Sequence, residues 1–300
     1  MTADPARLRR RTLTVTVAPA WHTDGAMRLT KHHGLGNDFL VLLDADGSQD
    51  VTPATARSLC DRRMGVGADG LLVATQPAAA SDAVATMVLL NADGSRAEMS
   101  GNGIRCLAQA LLLAGWASGP DVPIDTDAGR RTVTAHEPIG GPVQESSVAM
   151  GAARLLGDAP EWAGGAVSAA MLVDMGNPHL VLRLASGEGD AARLDTPAVS
   201  LVEVGERANA KIPGGANVHL LTGGPDGISI RTYERGVGPT LACGTGACAS
   251  AAAAQAWGFA GAEAVVHMPG GAATVTLGES VTLRGPAAFV ATVEVGSSPP

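Results

Sequence analysis

Lysine is almost missing from this chain: of its 300 residues only Lys31 and Lys211 are lysines. Pyridoxal phosphate is held as a Schiff base on a lysine, so a pyridoxal enzyme has few candidate anchors here. Cysteine is also scarce. Cys60, Cys106, Cys243 and Cys248 are too few to staple so long a chain, and they are expected to be free thiols in a reducing, cytoplasmic compartment. Aromatic residues make up 3% and charged residues 17%, so the core must be aliphatic and rich in alanine. No apolar run is long enough for a transmembrane helix. The longest candidate, Ala247 to Ala256, is alanine interrupted by Cys248, Ser250 and Gln255. Basic residues number 21 against 29 acidic ones, a formal net charge of -8. With Arg7 to Arg11 as the one basic block, neither nucleic acid nor a membrane surface is an expected partner.

Glycine is abundant, at 39 residues, and hydrophobic residues reach 46%, a globular composition with length for about two domains. Residues 1 to 26 pair an arginine cluster with a short alternating stretch, Leu13 to Val17, and lack the apolar segment of a signal peptide. A disordered leader or an over-early start is expected there, with Met27 opening the first strand.

The chain resembles itself. Gly36-Asn37-Asp38-Phe39-Leu40-Val41-Leu42 matches Gly176-Asn177-Pro178-His179-Leu180-Val181-Leu182 at five of seven positions, 140 residues apart. Ser100-Gly101-Asn102-Gly103 matches Cys243-Gly244-Thr245-Gly246 at both glycines, 143 residues apart. Nearly equal offsets in the same order indicate a duplicated half. Short β-branched runs bounded by Gly, Asp or Pro predict strands over 71–73, 84–90, 148–150, 171–173, 216–221, 228–233, 265–268, 273–277 and 280–283. Two Ala- and Leu-rich stretches, Ile104 to Trp116 and Ala247 to Trp257, predict helices ending near Gly115 and Gly258. The fold class is therefore α+β, with many short strands and one central helix per half.

Each predicted helix opens on a Gly-x-Gly turn, where unpaired backbone N–H groups and the helix dipole can hold a carboxylate or phosphate. An ordinary tight turn has the same signature. The residue before each turn adds chemistry. Cys243 stands at a helix N-terminus, where the thiol pKa is expected to fall towards the thiolate. Ser100 holds the equivalent place, where it also makes a good N-cap. Cys106 and Cys248 lie inside apolar helical runs as core thiols, and no clustered second pair completes a metal site with Cys243 and Cys248. Asn37, Asn91, Asn177 and Asn217 lie at strand ends, where asparagine also serves simply as a turn residue. Glu234 and Arg235 follow a strand and could clamp a zwitterion.

The strings KHHGLGNDF (31–39), DRRMGVGADGLL (61–72), NADGSRAEMSGNGIRC (91–106), MGNPH (175–179), ANVH (216–219) and YERGVGPTLACGTGAC (233–248) resemble the diaminopimelate epimerase family, in order, from about Met27 to about Val295. The resemblance implies two pseudo-symmetric halves, each a β-sheet wrapped around a central helix, with the active site in the cleft between them. It places the halves at 27–145 and 146–286, with a final strand over 287–296 returning to the first half. It further implies an isomerase of amino-acid and lysine biosynthesis that converts LL-2,6-diaminopimelate to the meso form without cofactor or metal. Two proton carriers work on opposite faces of the α-carbon, since one face cannot serve both steps of an inversion. Cys243 matches one of them. Gly101, Asn102, Gly244 and Thr245 match carboxylate-binding turns. Asn37, Asn91, Asn177, Asn217, Glu234 and Arg235 match residues holding the distal end or the α-amino group, and His179 matches a histidine beside the site. A homodimer is left open.

Two positions depart from that pattern: Ser100 stands where the family usually has its other cysteine, and Gly70 where many members have a glutamine. A hydroxyl is a far weaker acid than a thiol. Ser100 either relays a proton more slowly, or marks a one-base isomerase or dehydratase acting on another small carboxylate, or marks a paralogue that binds amino acids without turnover.

Overall fold

The computed structural model describes residues 26–185, 199–224 and 227–296. The leader expected over 1–26 lies, apart from residue 26, outside the described residues. The two halves unfold from the same plan. In the first, strands β1 (Met27–Gly34) and β2 (Asn37–Asp44) form a hairpin, and β2 then runs parallel to β3 (Gly70–Thr75) after helix α1 (Pro53–Cys60) crosses over. β3 pairs antiparallel with β4 (Ala85–Asn91), which carries the two-residue β5 (Arg96–Ala97) and lies parallel to β6 (Asp121–Thr126). Between β5 and β6 comes helix α2 (Gly101–Leu113), and β7 (Gly129–Ala135) and β8 (Val143–Gly151) complete the half.

The second half repeats this step by step: β10 (Val167–Asp174), β11 (Pro178–Leu184), α3 (Leu201–Lys211), β12 (Asn217–Gly224), β13 (Gly227–Glu234), β14 (Gly238–Thr240), α4 (Gly244–Ala256), β15 (Glu263–Met268), β16 (Gly271–Thr276) and β17 (Val281–Val295). Its two parallel pairs, β11 with β12 and β13 with β15, are the counterparts of β2 with β3 and β4 with β6. Strand exchange closes both sheets. After pairing with β8, the long β17 runs on against β1; β9 (Arg154–Asp158), which follows β8, pairs with β10 of the other half. The first ring runs β1, β2, β3, β4, β6, β7, β8 and β17 back to β1, the second runs from β17 through β16, β15, β13, β12, β11 and β10 to β9, the continuation of β8, and β8 and β17 are shared; β5 and β14 each pair on one side.

α2 and α4 fill the two rings, and their sequences fit that place. Nearly every residue of both is buried, as expected of a helix that is apolar all round, and alanine lets the strands approach α4 closely. Both end in the same way. Gly115 and Gly258 adopt left-handed backbone, with φ of 74° and 79°. In α2 the N–H of Gly115 bonds Leu112 O at 3.2 Å and that of Trp116 bonds Leu111 O at 2.9 Å. Gly258 and Phe259 make the equivalent bonds to Gln255 and Ala254, so each helix closes in a Schellman motif.

The sequence reading predicted neither outer helix. α1 is capped by Thr52 with Pro53 in its first turn, and α3 by Ser200, whose hydroxyl accepts from Glu203 N. Among the described residues, no helix is long and apolar enough to cross a membrane.

Candidate active site

α2 and α4 point their N-termini at each other. Leu283 of the shared strand β17 lies beneath both turns, and this is why they are glycine. A Cβ on Gly101 would lie 3.1 Å from Leu283 Cδ2, and one on Gly244 would lie 3.0 Å from that atom and 3.5 Å from Gly101 Cα. Ser100 and Cys243, the N-cap residues of the two helices, are thus brought to one place. Unpaired N–H groups of two helix termini converge there, a setting for a carboxylate.

The two caps differ. Ser100 Oγ accepts from Gly103 N at 3.1 Å, a regular N-cap that leaves the hydroxyl hydrogen free to donate. Cys243 makes no such bond; its Sγ lies 3.6 Å from Thr245 Oγ1 and also meets the Glu234 carboxyl. Contrary to the sequence expectation, the thiol pKa is raised well above its usual value. Burial is the main cause and the Glu234 charge adds to it; the Thr245 hydroxyl and Gly246 N–H pull the other way without prevailing. Glu234 is raised as well, by burial, although Thr240 Oγ1 donates to its Oε1 at 2.7 Å. The site therefore rests as a thiol beside a buried carboxyl. Cys106 and Cys248 are fully buried core thiols.

The second half carries linked polar groups at its strand ends. Asn177 Oδ1 meets His179 Nε2 at 2.8 Å, His179 Nδ1 meets His219 Nε2 at 2.8 Å, and His219 Nδ1 meets Thr232 Oγ1 at 2.9 Å. Burial lowers the His179 pKa to about 3, helped by the charge of Arg235, and drops His219 further below 6.5, so both rings are neutral spacers at neutral pH. Asn217 Oδ1 accepts from Arg235 N at 2.9 Å. Glu234 and Arg235 do not form a joint clamp: Glu234 turns to Thr240 and Cys243, while the exposed Arg235 donates to Gly214 O at 2.6 Å.

The first half is held differently. Asn37 Nδ2 donates to Asp69 Oδ2 at 2.8 Å, and Asn102 Nδ2 donates to Asn37 Oδ1 at 3.2 Å and, across to the second half, to Ala242 O at 3.4 Å. Asn91 bonds only within its own turn, to Ser95, and touches none of these groups. Register makes the asymmetry explicit. Phe39 lies opposite Gly70 as His179 lies opposite Asn217, and Gly70 lies opposite Asn91 as Asn217, one step beyond the Val218–Tyr233 pair, lies opposite Glu234. Where the second half has His179, Asn217 and Glu234, the first half has Phe39, Gly70 and Asn91. None of those three ionises. Gly70 is fixed by packing, because a Cβ there would lie 2.9 Å from Leu90 O and 3.3 Å from the Phe39 ring.

Gly246 supports the same geometry from below. A Cβ at this position would fall 2.2 Å from His219 Cε1, so the histidine can seat under α4 only because residue 246 has no side chain. Gly246→Ala is expected to destabilise the protein by about 3 kcal/mol, the upper end of the overpacking range, read as a lower denaturant midpoint. An unchanged midpoint would show that His219 moves aside freely.

His219, Thr240, Asp69 and Arg105 belong to this constellation and were not predicted as site residues. All four lie inside the strings quoted above, Asp69 in 61–72, Arg105 in 91–106, His219 in 216–219 and Thr240 in 233–248, and a signal for each was present.

Two rings, each wound on a buried helix whose N-terminus faces its twin across Cys243 and Ser100, make a fold of the epimerase type. The profile of the diaminopimelate epimerase family matches residues 29–156 and 171–290, and the chain belongs to that family. It is 39% identical over 287 residues to a diaminopimelate epimerase of Mycolicibacterium smegmatis, covering 90% of this chain and 97% of that protein. Among solved structures, a phenazine biosynthesis protein of the PhzF family from Bacillus anthracis superposes with a TM-score of 0.68 at 16% identity, covering 90% of this chain and 99% of the other. A hydroxyproline epimerase from Agrobacterium vitis gives 0.64 at 18%, covering 92% and 94%. At those identities the likeness establishes the fold.

Proposed function

We propose that the protein interconverts LL- and meso-2,6-diaminopimelate in the cytoplasm, without a cofactor, as a step in making lysine and peptidoglycan precursors. The observation that supports this best is the meeting of Cys243 and Ser100 at two abutting helix N-termini. In this reading the α-carboxylate lies between Gly101, Asn102, Gly244 and Thr245, where the N–H groups stabilise the negative charge that develops as the α-proton leaves. Cys243 takes or returns that proton on one face as the thiolate, its own proton lost to solvent, with Glu234 beside it. Ser100 serves the other face through its hydroxyl. Asn37, Asn91, Asn177, Asn217 and Arg235 hold the α-amino group and the distal end, and His179 orients Asn177.

The test is turnover of each isomer in deuterium oxide, followed by NMR and chiral separation. Deuterium should enter the α-carbon with inversion. If neither isomer exchanges, the reading fails. Exchange of one isomer with retention would instead identify the one-base variant, which the lack of any ionisable group at Phe39, Gly70 and Asn91 favours.

A further inference from the structure

Arg105, on the second turn of α2, is the largest fully buried side chain in the described structure. Its Nη1 donates to Gly101 O at 2.8 Å and its Nη2 to Asn102 Oδ1 at 2.7 Å, while Nε has no partner. Among the described residues no carboxylate lies within ion-pair distance of it. Gly34 and Gly285 make room for the guanidinium, for a Cβ on either would come within 3.4 Å of Nη2. The Glu145 charge reaches it only from beyond ion-pair distance and is itself shared with Arg284 at 3.7 Å, and a buried cation without a close counter-ion is costly.

A guanidinium can only donate. Whatever atom of Asn102 faces it must be the oxygen, so the Asn102 amide presents Nδ2 to Asn37 Oδ1 and Ala242 O. Asp69 can only accept while ionised, and it fixes Asn37 with Nδ2 outward and Oδ1 towards Asn102. Arg62 secures Asp69 at 2.7 Å and Asp38 at 2.6 Å. Both amides are therefore oriented from opposite ends, by a cation and by an anion.

We propose that Arg105 is a positioning residue of the carboxylate site: it sets the orientation of Asn102 that joins the two halves, and it supplies the buried positive charge that a substrate carboxylate completes. This rests on the functional reading above for the substrate and on the geometry alone for the charge.

Alkylation of Cys243 by iodoacetate and by iodoacetamide, followed by mass spectrometry of its peptide, separates the two claims. The reagents differ in carrying a carboxylate or a neutral amide to the same sulfur. In Arg105→Gln, which keeps N–H donors without charge, the iodoacetate-to-iodoacetamide rate ratio should fall by about tenfold, with the iodoacetamide rate within about twofold of the parent. Arg105→Lys should retain most of the parent ratio, and KM for diaminopimelate should rise about tenfold in the glutamine variant with a smaller change in kcat. An unaltered ratio in Arg105→Gln, or equal loss of both alkylation rates in both variants, overturns the proposal. If the ratio falls as expected but the parent protein exchanges no diaminopimelate proton, Arg105 keeps its role and the substrate reading falls.

Discussion

Cys243→Ala is expected to lower α-proton exchange by at least about 10³-fold, within the range a positioned general base supplies. Among the described residues the sulfur is the group at the N-terminus of α4 that can act as the base, while Glu234 beside it is bonded to Thr240. Because burial and the neighbouring carboxylate hold the thiol above its usual pKa, only a small thiolate fraction exists at neutral pH. Activity that needs the thiolate should thus rise with pH, about tenfold per unit on the limb below the thiol pKa, with no plateau before about pH 9. Alanine should abolish that limb. The fold should survive, since residue 243 makes no cap bond that the substitution removes. The measurement is deuterium incorporation across pH in the parent and the variant. Exchange within tenfold of the parent, or an unchanged pH limb, would mean that another group removes the proton.

Much of this arrangement was legible in the residues. The two Gly-Asn strings became the starts of β2 and β11, the two small-Gly-x-Gly strings became the N-termini of α2 and α4, and Gly115 and Gly258 became their C-terminal caps. These features are local, and each is set by backbone sterics within a few residues. The return of the final strand to the first half came from the family resemblance and not from any local pattern, and the pairing of β9 with β10 was not foreseen, because it joins segments whose partners no local pattern names. α1 and α3 were missed although their caps were visible: Thr52-Pro53 in one, and Ser200 three residues before Glu203 in the other. The direction of the Cys243 pKa was misjudged because the helix N-terminus is read from sequence, whereas burial and the approach of Glu234 are tertiary. Arg105 was hidden for a related reason. An arginine in an apolar helical run looks like a surface residue until the ring closes around it.

Ser100→Cys is expected to raise epimerisation by about 10²-fold, at a cost in stability. The catalytic gain follows from acidity: a thiol ionises near 8.5 in model compounds, whereas a serine hydroxyl needs a neighbour to take its proton, and the first half offers Phe39, Gly70 and Asn91 at the register positions that in the second half carry His179, Asn217 and Glu234. The stability loss follows from the cap. Ser100 Oγ accepts from Gly103 N at 3.1 Å, and Cys243, in the same place on α4, makes no such bond. A cysteine at 100 should forfeit the Ser100 cap, about 1 kcal/mol, seen as a Tm lower by about 2–4 °C. The two effects have separate origins, so they should appear together in the one variant and can be measured independently by exchange kinetics and calorimetry. A stabilised or unchanged protein with no gain in rate would show that the serine is already matched to its proton. In that case a neighbouring proton donor must re-protonate the Ser100 oxygen as it delivers its own proton, so that no free alkoxide forms.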